Sequence, residues 1–247
     1  DPRRAVRSIV APPAPRVYVA SPMTEPRTTR PRRRGIRIEW AFYSPTNERW
    51  FRAGHGTFTK LPTAARHPAL DAAIEALGKG EIIVITGDQF RRGDIDFAIA
   101  AKHISPDAIN FMARHGRGLI CLSLTPARAV KLGISLINPG SERQSGRPFG
   151  RSIEARVDVT TGISAADRAK TVEVAVAEGA NSDDLVSPGH VFPLIAADGG
   201  TAERPAAAEA SIDLCRLAGC GDAAVICSIM RDDGEMARLN DIGELIE

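Results

Sequence analysis

The sequence predicts an α+β domain, α/β-like in how its elements alternate, behind an N-terminal extension of different character. Three observations predict it. From about His67 onward, short apolar runs alternate with stretches whose apolar residues recur at helical spacing. Cap and stop residues punctuate those stretches, as at Ser105, Ser164 and Gly219. The composition, 43% hydrophobic and 25% charged over 247 residues, is that of a globular chain with room for one large domain plus an appendage.

The elements follow in order. Leu70, Ala73, Ile74 and Leu77 line one face of a helix that stops at Gly78-Lys79-Gly80. Ile82–Thr86 reads as a buried strand, and Phe97–Ala101 as another after the polar loop Gly87–Asp96. Ser105 caps a helix over Pro106–Arg114. Leu119–Leu124 is a strand and Pro126–Leu132 a helix. Residues 138–150 are polar and glycine-rich, a loop long enough to suspect a role. Ile153–Val159 is a strand. Ser164-Ala-Ala-Asp167 reads as a capping box opening a helix to about Ala177. Ala206–Leu217 is a helix ended by Gly219, Ala223–Met230 a strand, Asp232–Glu235 a turn, and Met236–Leu239 the return from it.

Ahead of this domain (67–247), residues 1–34 hold nine arginines against Asp1 and Glu25, and seven of the 17 prolines. Proline at this density breaks helices, and little here is apolar, so the segment reads as a disordered or extended arm. Its surplus of seven positive charges, within a chain of net charge +2, leaves −5 on the remainder. A uniformly basic nucleic-acid-binding domain is thereby excluded, and any such binding belongs to the arm. Residues 35–66 hold six of the twelve aromatics. Ile36–Tyr43 alternates as a strand does, Ser44–Asn47 is a turn, and Trp50-Phe51 begins a return strand. This hairpin either packs on the main domain or across a dimer, or stacks its rings on a base or ligand.

No apolar run is long enough to cross a bilayer, and no N-terminal stretch has the layout of a signal peptide. Cys121, Cys215, Cys220 and Cys227 form no C-x-x-C pair. A disulfide framework or structural zinc site is not expected, and a reducing cytoplasm fits the usage.

Three clusters carry possible chemistry. Asp88-Gln-Phe-Arg91-Arg92-Gly-Asp94-Ile-Asp96 follows a buried strand, where α/β proteins place their sites. Asp94 and Asp96 alternate and could share Mg²⁺, while Arg91 and Arg92 suit a phosphate. A merely solvated turn is the plainer alternative. Thr160-Thr161-Gly162-Ile163-Ser164 precedes a helix start whose free N–H groups attract anions, or it simply caps the helix. His190, between Pro188 and Pro193, is either a structural histidine or a metal ligand or general base. Glu209 sits on a helix built mostly of alanine and leucine, facing either solvent or a site.

These clusters, in this order, resemble the 3,4-dihydroxy-2-butanone 4-phosphate synthase family of riboflavin biosynthesis. Asn110-Phe-Met-Ala-Arg-His-Gly-Arg-Gly-Leu-Ile-Cys121 carries the resemblance, with Val159–Ala169, Ser187–Leu194, Glu209–Gly219 and Asp232–Leu239. The resemblance implies a magnesium-dependent homodimer with its sites at the subunit interface. The family's enzymes convert ribulose 5-phosphate to 3,4-dihydroxy-2-butanone 4-phosphate and formate. By the resemblance, His190 matches the metal-binding histidine, and His190, Glu209, Asp94 and Asp96 are the acid/base or metal carboxylate and imidazole groups. Arg91 is the substrate-phosphate contact, with Thr161 and Ser164 shaping the pocket, and His190 and Asp94 the metal ligands.

The carry-over is uneven. Arg92 falls on the family's metal-ligating glutamate, replacing a negative by a positive charge at a dication site, and this puts magnesium in question. Ser187 replaces an arginine before Pro-Gly-His, and Ala207-Ala208 replace His-Thr before Glu209. Residues 138–150 depart from the family's Asn/Thr-rich loop and bring in Arg143 and Arg147. The expectation is therefore a synthase-like lyase with altered or weakened activity. Its alternatives are a paralogue with different sugar-phosphate chemistry, with Arg92, Arg143 and Arg147 holding an anion, or a non-catalytic domain pairing with an active paralogue. The family is often fused to GTP cyclohydrolase II; this chain, ending at Glu247, is expected to be a stand-alone form or a piece of a longer one.

Overall fold

A computed structural model describes residues 18–20, 42–43, 49–52, 58–60, 68–91, 93–139 and 147–245. Arg92, Arg143, and most of the arm and the aromatic segment lie outside the described residues.

The main sheet has seven strands: β1 (Tyr18–Ala20), β5 (Ile83–Thr86), β6 (Ile95–Ala100), β10 (Ala223–Ser228), β7 (Cys121–Leu124), β9 (Leu185–Ile195) and β8 (Ile153–Ala155), in that spatial order. It is mixed. β1 runs parallel to β5 and β7 to β9, while the remaining pairs are antiparallel. Three short strands, β2 (Phe42–Tyr43), β3 (Arg49–Arg52) and β4 (Phe58–Lys60), form a separate antiparallel sheet. Phe42 and Tyr43 pair with Trp50 and Arg49, and β4 pairs with β3; the turn expected over Ser44–Asn47 lies outside the described residues.

Helices cover both faces of the main sheet. On one side α2 (Pro106–Phe111), α3 (Pro126–Lys131) and α4 (Ala165–Val176) pack over Phe97, Ile99, Leu122 and Val225. On the other, α1 (Pro68–Gly78) and α5 (Ala207–Leu217) pack over Ile83, Ile85, Ala224 and Ile226. The central strands are mostly apolar because both faces are covered; Thr86, Asp96 and Ser123 are their buried polar exceptions. All four cysteines are free and buried.

Helix starts follow the sequence. Ser105, Thr125 and Ser164 each accept a hydrogen bond from the backbone N–H three residues on. Four expectations need correction. The strand expected over Ile153–Val159 ends at Ala155, because Arg156 turns to bond the carbonyls of Asp183 and Leu185 and Asp158 takes a positive φ. The strand expected from Phe97 begins at Ile95, which moves Asp96 from a loop into the sheet, opposite Ile85 and Ser228. The helix expected to Arg114 widens after Phe111 into a looser turn over Met112–Gly116. The capping box is half made. Ser164 caps Asp167, but the Asp167 carboxylate turns back to accept from the Thr160 and Gly162 amides and the Thr160 hydroxyl, three donors where the box would offer one.

Candidate active site

Two clusters of polar side chains stand on the strands and the loops that join them. The first is built on the loop between β5 and β6. Asp88 folds that loop: its Oδ1 accepts from the Phe90 and Arg91 amides, and its Oδ2 from the amide of Ala207 at the start of α5. Arg91 is thereby turned inward. Its guanidinium reaches Asp96 at 2.6 Å, Asp88 at 3.2 Å and Asp94 at 3.4 Å. Arg147 enters from the other side and holds Asp96 at 2.9 Å and the Ser228 hydroxyl at 2.6 Å. Ser228 itself donates to Asp96 at 2.6 Å. Arg238 takes the remaining oxygen of Asp94 at 2.6 Å.

Asp96 is almost fully buried. Burial alone would raise its carboxyl, but the charges of Arg91 and Arg147 and the Ser228 hydrogen bond outweigh that and hold it below the ordinary range. Nearby, burial pushes the Cys121 thiol up to about 12, so Arg147 meets a neutral sulfur at 3.8 Å.

Glu209 adjoins this cluster. It is fully buried on the first turn of α5, accepting from the Ala197 amide at 2.9 Å and from Arg204 at 3.2 Å. Its Oε2 has no hydrogen-bond partner among the described residues. Burial pushes its carboxyl above the ordinary glutamate range, against the pull of Ala197 and Arg204. Arg204 also lies over the Phe90 ring at 5.1 Å. Asp88, Arg91, Arg147, Arg204 and Ala207 wall a cavity of about 10 Å³, room for one water molecule.

The second cluster centres on His190, partly exposed on β9. Its Nδ1 lies 2.6 Å from Glu154 Oε2 on the neighbouring strand β8. The approach is close because position 189 is glycine: a Cβ there would sit 2.2 Å from the backbone of Ile153. The Thr160–Asp167 turn closes over the same carboxylate. Gly162 has φ +80°, and a Cβ on it would meet Glu154 Oε2 at 1.9 Å. This is why the third residue of Thr-Thr-Gly is glycine, which capping alone does not require. Thr161 is exposed on the turn, and Ser164 serves as the cap of α4.

The structure thus brings Arg91, Arg147, Asp94 and Asp96 together, sets Glu209 beside them, and joins His190 to the Thr161–Ser164 turn through Glu154. No hydrogen bond or ion pair among the described residues links His190 to Asp94 or Asp96. Sequence reasoning missed Glu154, Ser228, Arg204 and Arg238. For Glu154 a signal existed, since it alternates with buried Ile153 and Ala155 and so lies on the other face.

Residues 71–247 match the sequence profile of 3,4-dihydroxy-2-butanone 4-phosphate synthase. The chain belongs to that family. It is 48% identical over 177 residues to the riboflavin biosynthesis protein RibBA of Aquifex aeolicus, covering 71% of this chain and 44% of that protein. Against the 3,4-dihydroxy-2-butanone 4-phosphate synthase of Pseudomonas aeruginosa it is 45% identical over 169 residues, 68% of this chain and 46% of the other. The crystal structure of RibBX, a two-domain synthase from A. baumannii, superposes with a TM-score of 0.66 at 39% identity, over 71% of this chain and 52% of that one. A synthase in complex with two magnesium ions superposes with a TM-score of 0.62 at 36% identity, over 69% and 81%. The chain spans about half the length of the curated relatives it matches. No helix among the described residues is long and apolar enough to cross a membrane.

Magnesium in that relative makes the donor set here worth testing. Among the described residues no three His, Cys, Asp or Glu side chains converge on a point. Every carboxylate oxygen of Asp88, Asp94 and Asp96 is already engaged by a guanidinium or an N–H. His190 Nδ1 is engaged by Glu154. As arranged, these residues do not fit a divalent cation.

Proposed function

We propose that residues 67–247 are a lyase domain of the family's kind, which takes ribulose 5-phosphate to 3,4-dihydroxy-2-butanone 4-phosphate and formate with weakened turnover, as a cytoplasmic homodimer. The observation that carries this reading is the His190–Glu154 pair at 2.6 Å, set under the Gly162 turn. A carboxylate on Nδ1 fixes the ring so that Nε2 faces outward, the arrangement of a general base poised to remove a proton beside a carbonyl. Glu209, whose carboxyl holds its proton to higher pH than an ordinary glutamate, suits the complementary role of acid. The substrate and the product pair are isomeric overall, so the reaction moves protons and carbon bonds and consumes no oxidant.

A second reading, a non-catalytic domain that pairs with an active paralogue, is favoured by the arginine-filled loop. There the carboxylates are engaged by arginines.

Proton NMR of the purified chain with ribulose 5-phosphate separates the two. The lyase reading expects a slowly growing formate signal that His190→Ala abolishes. Turnover surviving in His190→Ala removes His190 from the chemistry. An unchanged substrate spectrum leaves the non-catalytic reading.

A further inference from the structure

We infer that Arg147 is a built-in cation that stands in place of a divalent metal at the β5–β6 loop, so that this loop is organised without metal. The argument begins with charge. Asp88, Asp94 and Asp96 supply three carboxylates, and Arg91, Arg147 and Arg238 supply three guanidiniums in contact with them. Among the described residues the cluster is neutral, and a dication added beside Asp96 would face two fixed positive charges instead of a surplus of negative ones.

Placement is the second step. Asp96, Cys121 and Ser228 lie on the adjacent strands β6, β7 and β10, and the Arg147 guanidinium reaches all three. It bridges the sheet at the point where the loop carboxylates converge. Its side chain is 14% exposed.

The third step is that the backbone delivers it there. Residues 148–150 run against β9: the Ile195 amide donates to the Pro148 carbonyl, the Gly150 amide to the Pro193 carbonyl, and Phe149 bridges Leu194. Arg147 is the residue immediately before this pairing, so it enters at a fixed register. The sequence feature that accounts for it is the same departure of residues 138–150 from the family pattern. This inference concerns the charge balance of the loop and stands apart from whether the domain turns over ribulose 5-phosphate.

The test is metal binding by the intact chain, read without activity. Thermal unfolding is compared in EDTA and in excess MgCl₂, and free Mn²⁺ is followed by electron paramagnetic resonance as protein is added. The inference expects the same unfolding midpoint in both solutions and an undiminished free-manganese signal. A midpoint raised several degrees by magnesium and returned by EDTA overturns it, as does stoichiometric loss of the manganese signal. Arg147→Met, which removes the charge and keeps much of the bulk, should lower the midpoint in EDTA and recover part of the loss in magnesium. Arg147→Lys should stay insensitive to metal. An Arg147→Met chain that loses the same number of degrees in both solutions also overturns the inference, because Arg147 then only packs. Formate release that appears only with magnesium overturns this inference and leaves the lyase reading standing. No manganese binding with no formate overturns the lyase reading alone.

Discussion

Two aspartates of this domain reach the same electrostatic state by opposite means. Asp167 is held below the ordinary carboxylate range by hydrogen bonds from its own neighbourhood, the Thr160 amide foremost, with Gly162 and Ser164 beside it. Asp96 is held there against heavy burial by two arginines and a serine, at sequence separations of 5, 51 and 132. One site is closed by backbone within a single turn, the other by charge across the whole sheet. A backbone-closed site survives changes elsewhere in the chain. A charge-closed one depends on distant partners, because losing one leaves the buried charges less well compensated.

That contrast predicts graded effects. The largest should come from Asp96→Ala, which takes from Arg91 its shortest ion pair and from Arg147 its buried carboxylate. Breaking a buried pair by removing one partner costs about 3–5 kcal/mol, and urea unfolding should show a loss of that size. Next is Gly162→Ala, where the added methyl group meets the Glu154 carboxylate at a backbone angle unfavourable to alanine. Overpacking of this kind costs about 1–3 kcal/mol. Turnover, where measured, should fall with it, since Glu154 is the partner of His190. Ser164→Ala removes one cap bond and should cost about 1 kcal/mol by the same unfolding measurement, leaving the Asp167 bonds to Thr160 and Gly162 in place. If Ser164→Ala proved as damaging as Asp96→Ala, the contrast would fail.

The smallest and most discriminating effects lie in pH. Asp96 has a folded value below the ordinary 3.8, so the unfolded chain takes up that proton first. Its contribution is fully present above that value and is lost as pH falls through the lowered folded one. Asp96→Asn should flatten the acid side of a stability profile. Glu209 has the opposite sign. Its folded value lies above 4.5, so its contribution is fully present below 4.5 and is lost as pH rises through the raised value. Glu209→Gln should flatten the profile on that side.

What the sequence discloses follows the same division. The Thr160–Asp167 turn, the caps at Ser105 and Ser164 and the helix over Pro106–Phe111 are written in contiguous residues, and their local chemistry can be read directly. The fold class was legible for the same reason, because helix and strand periods are local. Asp96 was placed in a loop because an aspartate inside a buried strand is costly. The residues that remove that cost, Arg147 and Ser228, sit far along the chain. The role of Glu154 was hidden likewise, since its partner His190 is 36 residues away and is brought near by the pairing of β8 with β9. The strand over Leu185–Ile195 was obscured by Pro188 and Pro193, residues that argue against a central strand.

The strand order has a consequence for the birth of the molecule. β10 lies between β6 and β7, although it follows β7 by about a hundred residues of chain. On the ribosome, β6 leaves the exit tunnel with one edge unsatisfied and β7 with two, and both must wait for the same late segment. Until residues 223–228 emerge, Asp96 lacks Ser228 and the sheet is two half-sheets with open flanks. Nascent chains halted before Ala223 are therefore expected to need a holding chaperone, whereas chains released beyond Ser228 zip the two halves together in one closing event.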